Sequence, residues 1–208
     1  MGYAESLLIG ISIAAIPGPI FFELSRRSLT GGFWSGALVA LGEFLGNFFL
    51  LALIFFGVSS FLNIPVVKAL LYLVGSAVLI WLGLSALKLK REDLEKSYAA
   101  ETRKENSLIA GFLIAVSSPI VIAFWISLSG SYLASFPLKS DAIIAIFLIA
   151  LGFLLFFLPL AFLLHSTKNK ISSKYVLLLS KAFGIVLFVY GLSFFYEFYK
   201  IALAGFPL

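Results

Sequence analysis

The chain has 208 residues, of which 62% are hydrophobic and 12% are charged, and its formal net charge is +5. A soluble domain carries about twice that charged fraction, so the composition excludes a soluble globular protein and predicts an integral membrane protein. Because the chain has no cysteine, disulfides, thiol redox chemistry and thiolate metal sites are excluded as well.

The apolar residues fall in runs of about 20 or more, the length that an α-helix needs to cross the hydrocarbon core of a membrane. A barrel would alternate apolar and polar residues in strands of about ten, and the run from Ala145 to Leu160 does not alternate. We therefore predict an all-α protein. Its six transmembrane helices are expected at roughly 3–25, 34–61, 66–88, 107–134, 141–165 and 175–203. The alternative is a five-span chain whose last segment lies on the membrane surface.

The first predicted span is interrupted by Pro17, Gly18 and Pro19. Each proline removes a backbone donor, so the carbonyls of Ile13 and Ala15 are expected to lose their helical partners. Such carbonyls cannot face lipid and must face protein or a wet cavity. The helix that restarts after Pro19 presents free N–H groups and a partial positive charge, which suit a carboxylate. A simple kink that improves packing is the alternative.

Glu23 is the first carboxylate after this interruption. It precedes Arg26 and Arg27 by three and four residues, which is the spacing of side-chain neighbours on a helix. An ion pair at the cytoplasmic rim is therefore at least as well supported as a contact with substrate.

Glu43 is the strongest polar candidate in the second predicted span. Ionisable groups inside spans are rare and are functional candidates by default. Gly36, Ala40, Glu43 and Asn47 follow one another at steps of four, three and four, so they share one small and polar helix face. The alternative is that Glu43 is a structural hydrogen-bond partner or lies shallow enough to be hydrated.

Basic residues resist translocation and so mark the cytoplasmic side. Lys and Arg are concentrated in the connectors on one side of the membrane. This distribution predicts that both termini lie outside and that residues 90–106 form a cytoplasmic linker. Twelve fall on one side and three on the other: Arg26, Arg27, Lys88, Lys90, Arg91, Lys96, Arg103, Lys104, Lys168, Lys170, Lys174 and Lys181 against Lys68, Lys139 and Lys200.

The two halves of the chain share three matching segments in the same order. Residues 15–20 match 115–120, residues 38–45 match 148–155, and residues 83–85 match 191–193. Each half has an odd number of spans, so the second half enters the membrane from the opposite side. We therefore predict two inverted three-helix repeats, 1–89 and 107–208, an architecture that recurs in transporters.

In such transporters the substrate site usually lies near the membrane midplane, between helices that are interrupted at equivalent positions. The repeat places Ser117, Ser118 and Pro119 opposite the Pro17–Pro19 interruption. For Pro119 alone, a kink that serves packing is an equally good explanation. Trp125 and Tyr190 could line a cavity, but aromatic residues make up 16% of the chain, so most of them must serve packing or face lipid.

No soluble-enzyme motif is present. The sequence contains no phosphate-binding loop and no cluster with metal-ligand spacing, and it has one histidine. We expect neither an enzyme nor a cofactor or metal, and no nucleic-acid partner. Energy from nucleotide hydrolysis would have to come from another chain.

Several motifs together resemble the lysine exporter (LysE) type translocator family. They are Pro-Gly-Pro at 17–19, S-L-T-G-G-F-W-S-G at 28–36, G-E-F-L-G-N at 42–47, G-S-A-V-L-I-W-L-G at 75–83 and S-S-P-I-V-I-A-F-W at 117–125. The family usually has Asn-Pro-Lys where this chain has Ser118, Pro119 and Ile120, often an acidic residue at Asn47, and a tyrosine at Val78. The resemblance implies export of amino acids or related small metabolites across the cell membrane, driven by the proton gradient.

The leading hypothesis is a secondary exporter with a midplane site between the two halves. A zwitterion's carboxylate would meet the helix that restarts after Pro19 or Pro119, and its ammonium would meet Glu43. Coupling follows if Glu43 binds either a proton or the substrate. The expected substrate-binding residues are Pro17, Gly18, Pro19, Glu43, Asn47, Ser117, Ser118 and Pro119.

Two alternatives remain open. One is a cation exporter of the same fold, with carbonyls and Glu43 as oxygen ligands. The other is a non-transporting membrane interaction protein. The partners expected for the leading hypothesis are an amino acid, protons and the lipid bilayer. Glycines at 32, 36, 42 and 46 permit close helix approach, so we expect self-association as a homodimer.

Overall fold

The computed structural model describes residues 2–58, 64–92, 106–133, 136, 138–168, 170 and 172–203, and the regular structure within them is helical. The predicted all-α class is confirmed. A single turn of π-helix, Ile54–Val58, continues α3. The main helices are α1 Tyr3–Ala14, α2 Pro19–Gly31, α3 Phe33–Leu53, α4 Pro65–Leu87, α5 Ser107–Ser117, α6 Pro119–Ser131, α7 Lys139–Lys168 and α8 Ser173–Leu203.

Four helices in the described ranges are long and apolar enough to cross a membrane: Phe33–Gly57, Pro65–Leu87, Ser140–Thr167 and Ser173–Leu203. Helices α1 and α2 make a fifth span if they are taken together across their bend of 73°. The predicted span at 107–134 corresponds to α5 and α6, which have 11 and 13 residues and meet at Ser118. Length and composition therefore establish four or five spans, and the sixth depends on this second broken pair.

The first break forms as the proline pattern predicts. Helix α1 ends at Ala14, and α2 begins with Pro19 in its first turn. The expectation that the Ile13 carbonyl loses its partner is wrong. The backbone makes a bond across three residues instead of four, in which Ile16 N–H donates to Ile13 O at 3.0 Å. A bond to the third residue along the chain is a usual way to satisfy a carbonyl at the end of a helix.

Helix α2 continues to Gly31, beyond the predicted end of the first span at residue 25. The hydroxyls of Ser28 and Thr30 donate to the carbonyls four residues earlier, at 2.8 and 2.9 Å. The helix ends where Gly32 takes a φ of 84°, a conformation that glycine adopts without the strain of a Cβ atom.

Three pairs of helices pack with their backbones in contact: α1 on α7, α3 on α5, and α4 on α8. At each crossing, a Cβ atom added to a glycine would collide with backbone atoms of the other helix. Glycine permits this approach because it has no side chain. The residues at the three crossings are Gly10 and Gly152, Gly42 and Gly111, and Gly83 and Gly184.

The glycines on which the homodimer was predicted are buried inside one chain. Gly36 lies against Ser28 and Ala161, and Gly46 lies against Ala115. The reason given for self-association is therefore wrong, because these small faces already serve packing between helices of the same chain. The dimer itself stays a prediction.

The largest apolar core surrounds α2, α3, α6 and α7, with Trp125, Phe157, Leu24 and Leu51 fully buried in it. Large apolar side chains such as Phe49, Trp81, Phe162 and Val189 are exposed instead, as expected for a surface that lies against lipid tails. The chain is thus packed around a centre formed by the two broken helices.

Candidate functional site

A cavity of about 330 Å³ lies where the two helix breaks approach α3. Both broken pairs contribute to it, and α7 and α8 close it with aromatic side chains. Its lining residues are Ile13, Ala14, Ile16, Pro17, Gly18, Pro19, Ile20, Glu43, Asn47, Ile114, Ala115, Ser118, Val121, Phe124, Trp125, Phe153, Phe157, Tyr190 and Phe194.

Two helix N-termini contribute to this cavity, those of α2 and α6. Gly18 and Ser118 are their N-caps, both extended, and neither supplies a side-chain cap. The first backbone bonds back into each helix run from Phe22 N–H to Gly18 O and from Ile122 N–H to Ser118 O. The N–H groups of a first turn have no partner within their helix and carry a partial positive charge, so both termini suit an anionic group.

Glu43 is the acidic residue among the described residues that line the cavity. Its side chain is 4% exposed, and its Oε2 atom has no hydrogen-bond partner among the described residues. The other part of the carboxyl group accepts a hydrogen bond from the Asn47 side chain. A buried carboxylate with an open oxygen is costly unless a proton or a cation occupies it, so this atom is the best-defined binding position in the cavity.

Trp125 orients the Asn47 amide. Its indole Nε1 donates to Asn47 Oδ1 at 3.1 Å, and its side chain is 0% exposed. With the amide oxygen engaged in this way, the Asn47 amide nitrogen is directed to Glu43. Helices α3 and α6 are therefore joined by a hydrogen-bonded chain that runs from Trp125 through Asn47 to Glu43.

The structure brings six of the eight predicted site residues into the lining of one cavity. Ser117 is buried, and its hydroxyl donates to the Leu113 carbonyl in its own helix. Pro119 is the first residue of α6. Contact between substrate and any of these eight residues stays a prediction. The six residues in the lining are Pro17, Gly18, Pro19, Glu43, Asn47 and Ser118.

Most of the aromatic wall, which comes from α6, α7 and α8, could not be predicted from the sequence. Trp125 and Tyr190, the two aromatic residues proposed from the sequence as possible wall residues, both line the cavity. With aromatics at 16% of the chain, no local pattern separates a cavity wall from a lipid-facing surface. The wall residues are Phe124, Trp125, Phe153, Phe157, Tyr190 and Phe194.

Glu23 forms the predicted ion pair. Arg26 binds it through two nitrogens, with Nη2 to Oε1 at 2.7 Å and Nε to Oε2 at 2.9 Å, and Arg27 binds the same carboxylate. Arg27 also donates to Ser107 Oγ at 2.8 Å, which ties the end of α2 to the start of α5. Glu23 is 0% exposed, so the pair is buried rather than solvated.

Within the described ranges, no three His, Asp or Glu residues come close enough together to hold a metal ion. Glu43 and Asn47 are the polar side chains on the α3 face of the cavity.

The family model for LysE type translocators matches residues 11–198 of this chain. The chain is similar to the "Putative amino acid efflux protein YcgF" of Bacillus subtilis, with 29% identity over 199 residues, which cover 94% of this chain and 95% of the relative. No solved structure matches the chain.

Two further relatives match over shorter regions. The "Chemotactic transduction protein ChpE" of Pseudomonas aeruginosa is 36% identical over 135 residues, which are 64% of each chain. The "Leucine efflux protein" of Klebsiella pneumoniae is 28% identical over 130 residues, which are 61% of each chain.

Proposed function

This chain belongs to the LysE type translocator family, and we propose that it exports an amino acid or a related small metabolite through the cavity at its two helix breaks. Its family is one of transporters rather than enzymes, and the chain is a multi-pass membrane protein. The observation that carries the proposal is the open Oε2 atom of Glu43, in a cavity that two helix N-termini also line.

The proposed binding mode pairs opposite charges at each end of a zwitterion. The substrate ammonium binds Glu43 Oε2, and the substrate carboxylate binds N–H groups in the first turn of α2 or α6. Asn47 and Trp125 hold the Glu43 carboxyl in place. The relatives named as efflux proteins for amino acids and for leucine support this class of cargo.

We propose further that the chain is an inverted repeat of two three-helix units, in which α5 and α6 form the fourth of six spans. Helix packing supports this. Helix α1, the first half of the broken helix in the first repeat, packs on α7, the second span of the second repeat. Helix α5, the first half of the broken helix in the second repeat, packs in the same way on α3, the second span of the first repeat. Gly152 stands in the second unit where Gly42 stands in the first, at the offset of 110 residues that relates 38–45 to 148–155, and Gly111 lies one residue after the position equivalent to Gly10.

The crossing of α4 and α8 supports the same symmetry. A Cβ atom on Gly83 would meet Gly184 O at 2.8 Å, and one on Gly191 would meet Ser76 O at 3.2 Å. Exchanging the two repeats converts one of these contacts into the other. A pseudo-twofold axis between the units would account for both contacts, and in this proposal the cavity lies between the two breaks near the membrane midplane.

Proton coupling rests on competition at one atom. If Glu43 Oε2 binds either a proton or the substrate ammonium, movement of one across the membrane is linked to movement of the other. The uneven distribution of Lys and Arg supports an orientation with both termini outside. In that orientation, the substrate leaves toward the side on which α1 begins.

The experiment that tests the function is a counterflow screen with the purified chain in proteoliposomes. Liposomes preloaded with one metabolite are given a trace of the same metabolite in labelled form, across a panel of amino acids, other small metabolites and divalent cations. We expect accelerated uptake for at least one amino acid. Flux of cations alone would favour the cation exporter. No flux, together with no ligand-induced thermal shift, would favour the non-transporting protein.

A further inference from the structure

We propose that the transported amino acid has an uncharged, apolar side chain. This inference rests on the proposed function and specifies its substrate class. Three observations support it: the described lining holds a single acidic or basic residue, the charged side chains of α2 pair with one another, and the rest of the wall is apolar.

Glu43 is the one acidic or basic residue among the described residues that line the cavity. Its open oxygen is taken by the substrate ammonium in the proposed binding mode. A lysine or arginine side chain would bring a second positive charge for which the lining holds no second carboxylate. The neighbouring carboxylate of Glu23 is bound by Arg26 and Arg27, so it does not supply one.

An acidic substrate side chain is also disfavoured, because it would bring a second negative charge into the cavity. Arg26 and Arg27, the arginines of α2, both bind Glu23, and neither lines the cavity. A second substrate carboxylate would therefore have only the partial charge of the helix N-terminus that the first carboxylate leaves free, with no charged side chain in the described lining to pair with it. Burying an unpaired charge of either sign is strongly unfavourable, so the cavity discriminates against both classes.

The rest of the lining favours an apolar side chain. Ile114, Val121, Phe153 and Phe194 come from four different helices and present hydrocarbon to the cavity. Transfer of each substrate methylene from water to such a wall should raise affinity by about fourfold. Affinity should therefore increase from alanine to valine to leucine, while lysine and glutamate bind on the order of 100-fold more weakly than leucine.

The experiment is inhibition of labelled-leucine counterflow by alanine, valine, leucine, lysine and glutamate. The expected result is inhibition that strengthens along the apolar series and is weak for both charged amino acids. Lysine or glutamate acting as strongly as leucine would overturn the substrate class and leave the proposed export function intact. Absence of transport for every amino acid would overturn the export function instead.

A designed change of charge sharpens this test. Val121→Asp adds a second carboxylate to the wall, whereas Val121→Asn adds a side chain of similar size without charge. We expect lysine to inhibit the aspartate variant at least tenfold better than the asparagine variant. If both variants transport leucine and lysine inhibits them equally, charge does not set the selectivity and the inference fails. The series on the unmodified chain decides the question if either variant does not fold.

We infer independently that Arg27 and Ser107 form a closed gate on the face where α2 ends and α5 begins. The Arg27–Ser107 hydrogen bond of 2.8 Å joins the two halves of the chain there. An apolar cluster of Leu29, Leu89 and Val176 packs at the same end of the bundle. The buried carboxylate of Glu23 holds the Arg27 guanidinium in position.

Neither residue of this gate lines the groove of about 560 Å³ between α1 and α6, which shares Ile13 and Phe124 with the central cavity. Alternating access requires that a closed face of the protein open at one step of the cycle. On the closed face, the Arg27–Ser107 bond is a contact between the two halves that must break in this step.

The chain has no cysteine, so a single introduced cysteine reports access to the cavity. Ser118→Cys should react with a membrane-impermeant thiol reagent from the α1 side of oriented vesicles. Adding Ser107→Ala, which removes the acceptor of Arg27, should raise its reaction from the α5 side by about tenfold, a shift of about 1.4 kcal/mol. Ser85→Ala, which removes an exposed hydroxyl bonded within α4, is the matched control. Unchanged reactivity from the α5 side in a folded Ser107→Ala protein would overturn the gate.

Discussion

The indole of Trp125 donates a hydrogen bond to the side chain of Asn47 at 3.1 Å, although 78 positions separate the two residues in the sequence. The bond joins α6 to α3 and fixes the amide that holds Glu43. Trp125, in the second half of the chain, thereby orients Asn47 and Glu43, which lie in the first half.

Replacing Trp125 by phenylalanine should weaken substrate binding without unfolding the chain. The change keeps an aromatic ring in the wall but removes the donor to Asn47, which leaves a buried acceptor unsatisfied at a cost of about 1–3 kcal/mol. We expect the concentration for half-maximal transport to rise by about tenfold, because 1.4 kcal/mol corresponds to a factor of ten. Trp81→Phe, at an exposed position, is the control. Equal substrate concentrations for half-maximal transport in the two variants would contradict the role of Trp125.

Glu43→Gln should abolish transport driven by a pH gradient. Glutamine preserves the size of the side chain and the contact with Asn47, but it cannot bind a proton or pair with an ammonium as a carboxylate does. The measurement is efflux of labelled amino acid from proteoliposomes with and without an imposed gradient. Glu197→Gln, at an exposed carboxylate near the end of α8, is the control. Gradient-dependent transport that persists in Glu43→Gln removes this residue from the mechanism.

Glu23→Gln should destabilise the folded chain far more than Glu197→Gln. Glu23 is fully buried between two arginines, and loss of one partner from a buried ion pair costs about 3–5 kcal/mol. Glu197 pairs with Lys200 at the same helical spacing, but these side chains are 41% and 49% exposed, and such a pair contributes about 0–1 kcal/mol. Thermal unfolding in detergent measures both variants. Similar transition temperatures would show that the Glu23 cluster is not a stabilising core element.

Gly42→Ala should disrupt the crossing of α3 and α5. A Cβ atom at this position would collide with the backbone carbonyl of Leu108 and lie 2.8 Å from Phe112 N. Separation of the two helices should cost about 1–3 kcal/mol, as overpacking usually does. Gly2→Ala is the control, since its Cβ atom would have no neighbour closer than 4.0 Å. The yield of monodisperse protein and its transition temperature should fall for the first variant alone.

The orientation of the chain can be measured with single cysteines. Glu5 and Lys90 are both exposed and lie on opposite sides of the proposed topology. In intact cells, Glu5→Cys should react with an impermeant maleimide, whereas Lys90→Cys should react only after the membrane is permeabilised. The reverse pattern would place the termini in the cytoplasm and would contradict the orientation inferred from the basic residues.

Local chemistry explains why much of this could be predicted from the sequence. Proline removes a backbone donor wherever it stands, so Pro17 and Pro19 predict a helix break even when the fold is not known. A carboxylate inside an apolar run, as at Glu43, is costly in any membrane arrangement. The pairing of Glu23 with Arg26 follows from helical spacing alone. The burial of that ion pair does not follow from the spacing, because it depends on which helices pack against the pair in the folded chain.

The sequence by itself determined the helical class, the two breaks and the carboxylate at the centre, since each depends on the chemistry of a few neighbouring residues. Only the tertiary structure decided that Trp125 holds Asn47, that the glycines of α3 serve packing within one chain, and which aromatic residues form a wall. Those outcomes depend on contacts between residues far apart in the chain, and in so apolar a sequence many residues could make such contacts equally well. The crossing of the helices selects among them.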